Sequence, residues 1–148
     1  MSNTTKIVIN NCYGGFALSN AAIRRYFELK GQEVWLDEYE YNSLYTEIWL
    51  VPPEDRTAEL PGDWREHSIE VREEIERKYS EQTWSARYDL DRVDPILVQV
   101  VEELGEDASG SCARLIIEEL PKGTLYRINE YDGMESIETA NSVDWSVA

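Results

Sequence analysis

The chain has one histidine, His67, and two cysteines, Cys12 and Cys112, one hundred positions apart. No Cys-x-x-Cys pair occurs, so the sequence gives no reason to expect a zinc site or a disulfide. A serine triad or a Cys–His pair would have to take its base from His67, which lies in a highly charged stretch. No apolar run approaches the length of a membrane span. The start, Met1 to Lys6, lacks the charged-then-apolar build of a signal peptide. A cytoplasmic location is therefore expected. Lysine is scarce too: only Lys6, Lys30, Lys78 and Lys122 contribute to the 14 basic residues.

Acidic residues are abundant. Thirty of them against 14 basic ones give a net charge of −16 over 148 residues. Nucleic-acid binding draws on Lys and Arg at phosphates, so direct binding to DNA is not expected, nor is binding to an anionic membrane. An acidic surface instead suits a basic protein partner, whose nucleic-acid groove it would fill by imitation. The plain alternative is that the charge is solubilising. Residues 1–30 run against the trend, with Lys6, Arg24, Arg25 and Lys30 facing Glu28 alone. Apolar residues make up 42% of the chain and aromatics 11%, enough for a packed core despite the charge.

Local patterns predict an α+β fold with mostly antiparallel sheet and two or three helices on one face. Lys6–Asn10 reads as a buried central strand. Ser19 caps a helix that runs to about Lys30 and stops at Gly31, with Leu18, Ala22, Ile23, Tyr26 and Phe27 facing inward. Strands are expected at Glu33–Leu36 and Thr46–Val51, with Asp37–Tyr41 either strand or loop. A surface helix is expected from Trp64 to Tyr79, supported by Glu73–Arg77 and Glu74–Lys78 pairs. Asp94-Pro95 starts another helix, which ends at Gly105. Cys112–Leu120 and Leu125–Tyr131 are expected to pair across the turn at Pro121–Gly123. Asp132-Gly133 turns into a last strand at Met134–Ile137. The whole chain, 1–148, reads as one domain with an acidic, aromatic-rich middle at 35–90. Its tail, 139–148, is expected to be loosely held, pinned at Trp145.

The first candidate site is the βα connection that begins at Asn10 and runs to Phe16. Its residues Asn11, Cys12, Tyr13, Gly14, Gly15 and Phe16, with Ser19 and Arg24 on the next helix, form a possible cradle for a small anionic or nucleotide-like ligand. Adjacent glycines allow a tight backbone, and a helix start offers free N–H groups and partial positive charge. The spacing matches neither the P-loop nor the dinucleotide fingerprint, and no cofactor is expected. The competing reading is a tight turn packed on the core. Cys12 is also a candidate nucleophile. Asp89, Asp91 and Asp94 around Arg92 are a candidate magnesium set, unless Asp94 caps its helix and Arg92 pairs with an acid. Trp35, Tyr39, Tyr41, Tyr45, Trp49, Trp64, Tyr79, Trp84 and Tyr88 crowd the acidic middle. Such aromatics serve either as core or as binding anchors.

Three stretches carry a resemblance. They are Lys6–Ser19 (KIVINNCYGGFALS), Arg92–Gly105 (RVDPILVQVVEELG, continuing through Ala108-Ser109-Gly110 to Leu115) and Tyr126–Gly133 (YRINEYDG). In this order they resemble a group of small proteins from tailed phages and prophages. The resemblance implies a virus-encoded accessory protein located in the host cytoplasm, and it transfers no residue role. The expected function is binding without catalysis, such as a counter-defence inhibitor that sequesters an anionic ligand or covers a basic host protein. The alternatives are a minor virion component and a small enzyme using Cys12.

Overall fold

The computed structural model describes residues 3–39, 42–142 and 145–148. The class is α+β, with antiparallel strand pairs and three α-helices among these residues. The chain folds as two compact units. The first joins Met1–Lys30 to Leu90–Ala148, and the second is Gly31–Asp89. The second unit falls close to the acidic section expected at 35–90.

In the first unit, strand β1 (Thr4–Asn10) pairs antiparallel with β4 (Leu115–Pro121), Val8 opposite Ile117. Ile7, Val8, Ile9 and Asn10 are buried on both faces, as the β-branched run predicts. Helix α1 (Asn20–Lys30) begins where the Ser19 hydroxyl accepts the Ala22 N–H at 3.1 Å. It ends at Gly31, whose φ of 70° suits glycine. Ala22, Ile23, Tyr26 and Phe27 form its buried face. Helix α3 (Pro95–Leu104) is capped by Asp94, which accepts the Ile96 N–H, and it stops at Gly105. Leu97, Val98, Val100 and Val101 are buried. Helix α3 packs on β1 and β4, and α1 packs on α3. The Tyr26 hydroxyl donates to Asp94 Oδ2 at 2.6 Å, so one carboxylate both caps α3 and ties α1 to it.

The last pairing differs from the expectation. Strand β5 (Tyr126–Tyr131) pairs with β6 (Met134–Thr139), not with β4. The two-residue turn decides this: Asp132 (φ 51°) and Gly133 (φ 86°) both take the left-handed conformation of the tightest hairpin turn. Instead of one continuous sheet, the strands form separate two-stranded pieces. Trp145 is 86% exposed and pins nothing.

In the second unit, β2 (Trp35–Tyr39) and β3 (Asn42–Trp49) form a hairpin with Trp35 opposite Trp49. Asp37 and Glu38 are strand residues; Tyr41 lies outside the described residues. The helix expected from Trp64 is interrupted. A single 3₁₀ turn spans Trp64–Glu66, and helix α2 (Ile69–Gln82) starts afresh where Ser68 accepts the Val71 N–H. Ser68 has extended backbone (ψ 154°) and is a better cap than anything earlier in the run. Past α2 the chain joins β3, with the Leu50 N–H on Gln82 C=O and the Trp84 N–H on Ile48 C=O.

Candidate functional site

Two places concentrate the chemistry: a joint of loops in the first unit and an acidic face in the second. The joint centres on the end of β1. Val8 and Asn10 turn their amides away from β4, leaving an edge that needs partners. No strand fills it. The Val8 N–H donates to the Arg92 carbonyl at 2.9 Å, and the Val8 carbonyl accepts from Arg92 Nη1 at 3.3 Å. The Asn10 N–H donates to Glu135 Oε1 at 2.8 Å. Arg92 and Glu135 form a two-pronged ion pair at 2.6 and 2.8 Å, with the Glu135 side chain 8% exposed and Arg92 20%. The Arg92 guanidinium also sits 3.6 Å from the centre of the Phe16 ring.

Asn10 is the hub. Its side-chain amide donates to the carbonyls of Cys12 and Gly133, both at 2.8 Å, and its oxygen accepts the Arg114 N–H at 2.8 Å. Three loops therefore meet on one buried side chain. The glycines let them meet. A Cβ on Gly133 would lie 2.2 Å from the Gly15 nitrogen, and one on Gly14 would lie 2.7 Å from the Cys112 Cβ. The Gly14 N–H donates to the Asp132 carbonyl at 3.3 Å.

The predicted ligand cradle falls on this joint. The Asn11 N–H is given to the Arg114 carbonyl at 2.7 Å, and the Cys12 carbonyl to Asn10. Tyr13 is 58% exposed. Gly14 and Gly15 are packed against the 112 and 133 turns, and Phe16 lies under Arg92. Ser19 uses its hydroxyl within the fold, capping α1 and donating to the Asp107 carbonyl. Arg24 is exposed on α1. The predicted residues thus sit close in the chain, and the Asn11 and Gly14 N–H groups, the Cys12 carbonyl and the Ser19 hydroxyl already have protein partners. Sequence reasoning placed Asn10 at the start of the candidate stretch but missed Glu135 and Gly133. Only Arg92, expected to pair with an acid, pointed this way.

The candidate magnesium aspartates have separate duties. Asp94 caps α3, Asp91 accepts the Val93 N–H at 3.1 Å, and Asp89 accepts the Ser85 N–H at 2.8 Å. His67 Nε2 lies 2.6 Å from the Pro61 carbonyl. Among the described residues, no group of three His, Cys, Asp or Glu side chains is arranged to hold a metal ion.

The second unit carries 16 acidic and six basic residues, a net charge of −10 over residues 31–89. None of the residues of α2 is buried. Val71, Ile75 and Tyr79 line one side, and the Tyr79 ring meets Trp49 of β3 edge-on, with centres 5.4 Å apart. On the other side Ile69, Glu73 and Glu76 fall at i, i+4 and i+7, with Glu70 beside them. Ile69 is 63% exposed. Glu74 pairs with Lys78 as expected, but Arg77 reaches forward to Glu81 instead of back to Glu73. Among the described residues Glu70, Glu73 and Glu76 make no ion pair.

The hairpin holds a concavity of about 530 Å³ lined by Asp37, Glu38, Glu47, Trp49, Arg56 and Glu59. Arg56 pairs with Asp37 and stacks 4.6 Å from the centre of the Trp49 ring. Of the crowded aromatics, Trp49 is buried at 6% exposure, whereas Tyr88 is 78% exposed and Trp64 39%.

No family model matches the chain, and no curated protein or solved structure matches it either. No helix among the described residues is long and apolar enough to cross a membrane.

Proposed function

We propose that the chain is a non-enzymatic, phage-type accessory protein that acts by binding, and that its partner is a protein with a basic surface. The observation that carries this reading is the outward side of α2, where Ile69 stands 63% exposed beside Glu70, Glu73 and Glu76. Carboxylates that make no ion pair speed encounter with a positive partner, and an apolar side chain among them adds contact once docked. The acidic concavity of the hairpin extends the same electrostatic sign. The resemblance to small phage proteins fits an agent that covers a host component.

The test is binding to a panel of basic proteins, lysozyme and cytochrome c among them, measured by calorimetry at several salt concentrations. Replacing Glu70, Glu73 and Glu76 with Gln is expected to weaken binding and flatten its salt dependence. Ile69→Ser is expected to weaken it with the salt dependence unchanged. Equal binding by all three proteins would contradict the reading.

A second reading keeps a small anionic, nucleotide-like ligand at the Asn11–Phe16 loop. The exposure of Tyr13 and Arg24 favours it. It requires a saturable rise in melting temperature with phosphate or a nucleotide, removed by a bulky replacement of Gly15. The two readings separate cleanly, because the α2 substitutions leave that rise untouched.

A further inference from the structure

Among the strands of the first unit, β5 alone has no buried residue. Its large side chains stand in water: Leu125, just before the strand, is 76% exposed, Tyr126 39% and Tyr131 78%. Half of its backbone is unused as well. The Ala140 N–H donates to the Leu125 carbonyl at 3.1 Å, so the ladder to β6 takes up the odd-numbered residues from Leu125 to Tyr131. The N–H and carbonyl groups of Tyr126, Ile128 and Glu130 point the other way. Among the described residues these groups meet no partner, and β5 has no neighbouring strand besides β6. A two-stranded hairpin is only marginally stable by itself, and an open edge is a template for a further strand.

We propose that β5 is a dimerisation edge whose occupant is β5 of a second copy of this chain, running antiparallel about a two-fold axis at Ile128. In that register the strand is complementary to itself. The outward groups of Tyr126 face those of the second copy's Glu130, Ile128 faces Ile128, and each such pair exchanges two hydrogen bonds. Between these pairs the side chains approach most closely: Leu125 meets the second copy's Tyr131, and Arg127 meets its Asn129. The two most exposed apolar side chains of the hairpin thus cover each other, and no like charges lie directly opposite. Moving the axis to Arg127 sets two arginines face to face, which destabilises a strand pair. Moving it to Asn129 runs the Asp132-Gly133 turn, with φ of 51° and 86°, against the start of the facing strand. The edge is short, and interfaces below about 1,200 Å² are weak, so dimer and monomer exchange with concentration. Each chain carries a net charge of −16, so repulsion opposes pairing and salt strengthens it by screening. The acidic face of the second unit takes no part, and its binding has the opposite salt response.

The experiment is sedimentation velocity of the whole chain across a concentration series at low and high salt, in reducing buffer because Cys112 is exposed. A monomer–dimer equilibrium that shifts toward dimer at high salt is expected. Tyr131→Glu is expected to weaken it at least about tenfold, because charge on an edge strand blocks pairing and the change enters the interface twice. Adding Leu125→Lys to Tyr131→Glu sets opposite charges against each other and is expected to recover most of the loss. Residues 125 and 131 of one chain lie at opposite ends of the strand, so this rescue comes only from the second copy. Both side chains are exposed, so the variants are expected to keep the native melting temperature. A chain that stays monomeric throughout the series would overturn the proposal. So would a dimer indifferent to Tyr131→Glu, or one that the double variant leaves as weak as the single.

Discussion

Removing the Glu135 carboxylate tests whether the edge of β1 is closed as described. Glu135→Ala deletes three hydrogen bonds at once: two from Arg92 and one from the Asn10 N–H. A guanidinium and a backbone donor are then left beside apolar neighbours. Breaking a buried ion pair from one side costs about 3–5 kcal/mol. Arg92 keeps 20% of its side-chain surface in water and can partly rehydrate, which favours the lower end, about 3 kcal/mol. For a chain of this size that lowers the melting temperature by roughly 6–12 °C. Urea unfolding followed by far-ultraviolet circular dichroism measures it. A second arm is sharper. An ordinary buried ion pair can be exchanged for apolar residues at little cost. Here the double replacement Arg92→Met with Glu135→Leu still orphans the Asn10 N–H, and an unsatisfied buried donor costs about 1–3 kcal/mol. The double variant should therefore remain less stable than the parent. A loss below about 1 kcal/mol for Glu135→Ala, or full recovery in the double variant, would refute the edge-closing role.

Gly133→Ala and Gly123→Ala make a matched pair, since both glycines have φ of 86° but only Gly133 has backbone within reach of a Cβ. Gly123→Ala should cost about 1–2 kcal/mol of backbone strain, whereas Gly133→Ala should fail to give a folded first unit by proton NMR. Tyr26 is buried and donates to Asp94, so burial first and the carboxylate second push its pKa well above the ordinary tyrosine value. A raised folded-state pKa means that its contribution is complete below about pH 10 and lost as pH climbs beyond it. Tyr26→Phe should therefore flatten the alkaline fall in melting temperature between about pH 9 and 12, and an unchanged alkaline limb would contradict it. Glu103 is held below the usual carboxylate range by the Arg25 side chain. Its contribution is present above the ordinary glutamate pKa and fades as pH falls, so Glu103→Gln should soften the acid limb of the same curve.

The first unit was largely legible from local chemistry. Ser19 and Gly31 bound α1, and Asp94-Pro95 and Gly105 bound α3, because caps and stops act within a few residues of themselves. The Asp132-Gly133 turn was legible for the same reason. Strand partners were not. Leu125–Tyr131 sits next to both the Pro121–Gly123 turn and the Asp132-Gly133 turn, and only the tighter one builds a ladder. The run from Trp64 hid a break because its charge pattern is continuous through Ser68, and only the extended backbone there marks the true helix start. Among the site residues, Asn11 to Phe16 were found by their glycines. Asn10, Arg92, Glu135 and Gly133 were brought together by pairings that span 43 to 125 positions of chain, which no local pattern encodes. The oxygen and nitrogen of Asn10 look like an ordinary strand end until the three loops arrive.

On the proposed function, the outward side of α2 recognises a basic protein surface. The most direct test is amide chemical-shift mapping of the whole chain during titration with the tightest-binding basic protein of the panel. Perturbations centred on residues 69–76 are expected, reduced by Ile69→Ser at constant net charge. Perturbations centred on residues 11–19, or spread evenly over all acidic residues and insensitive to Ile69→Ser, would contradict it.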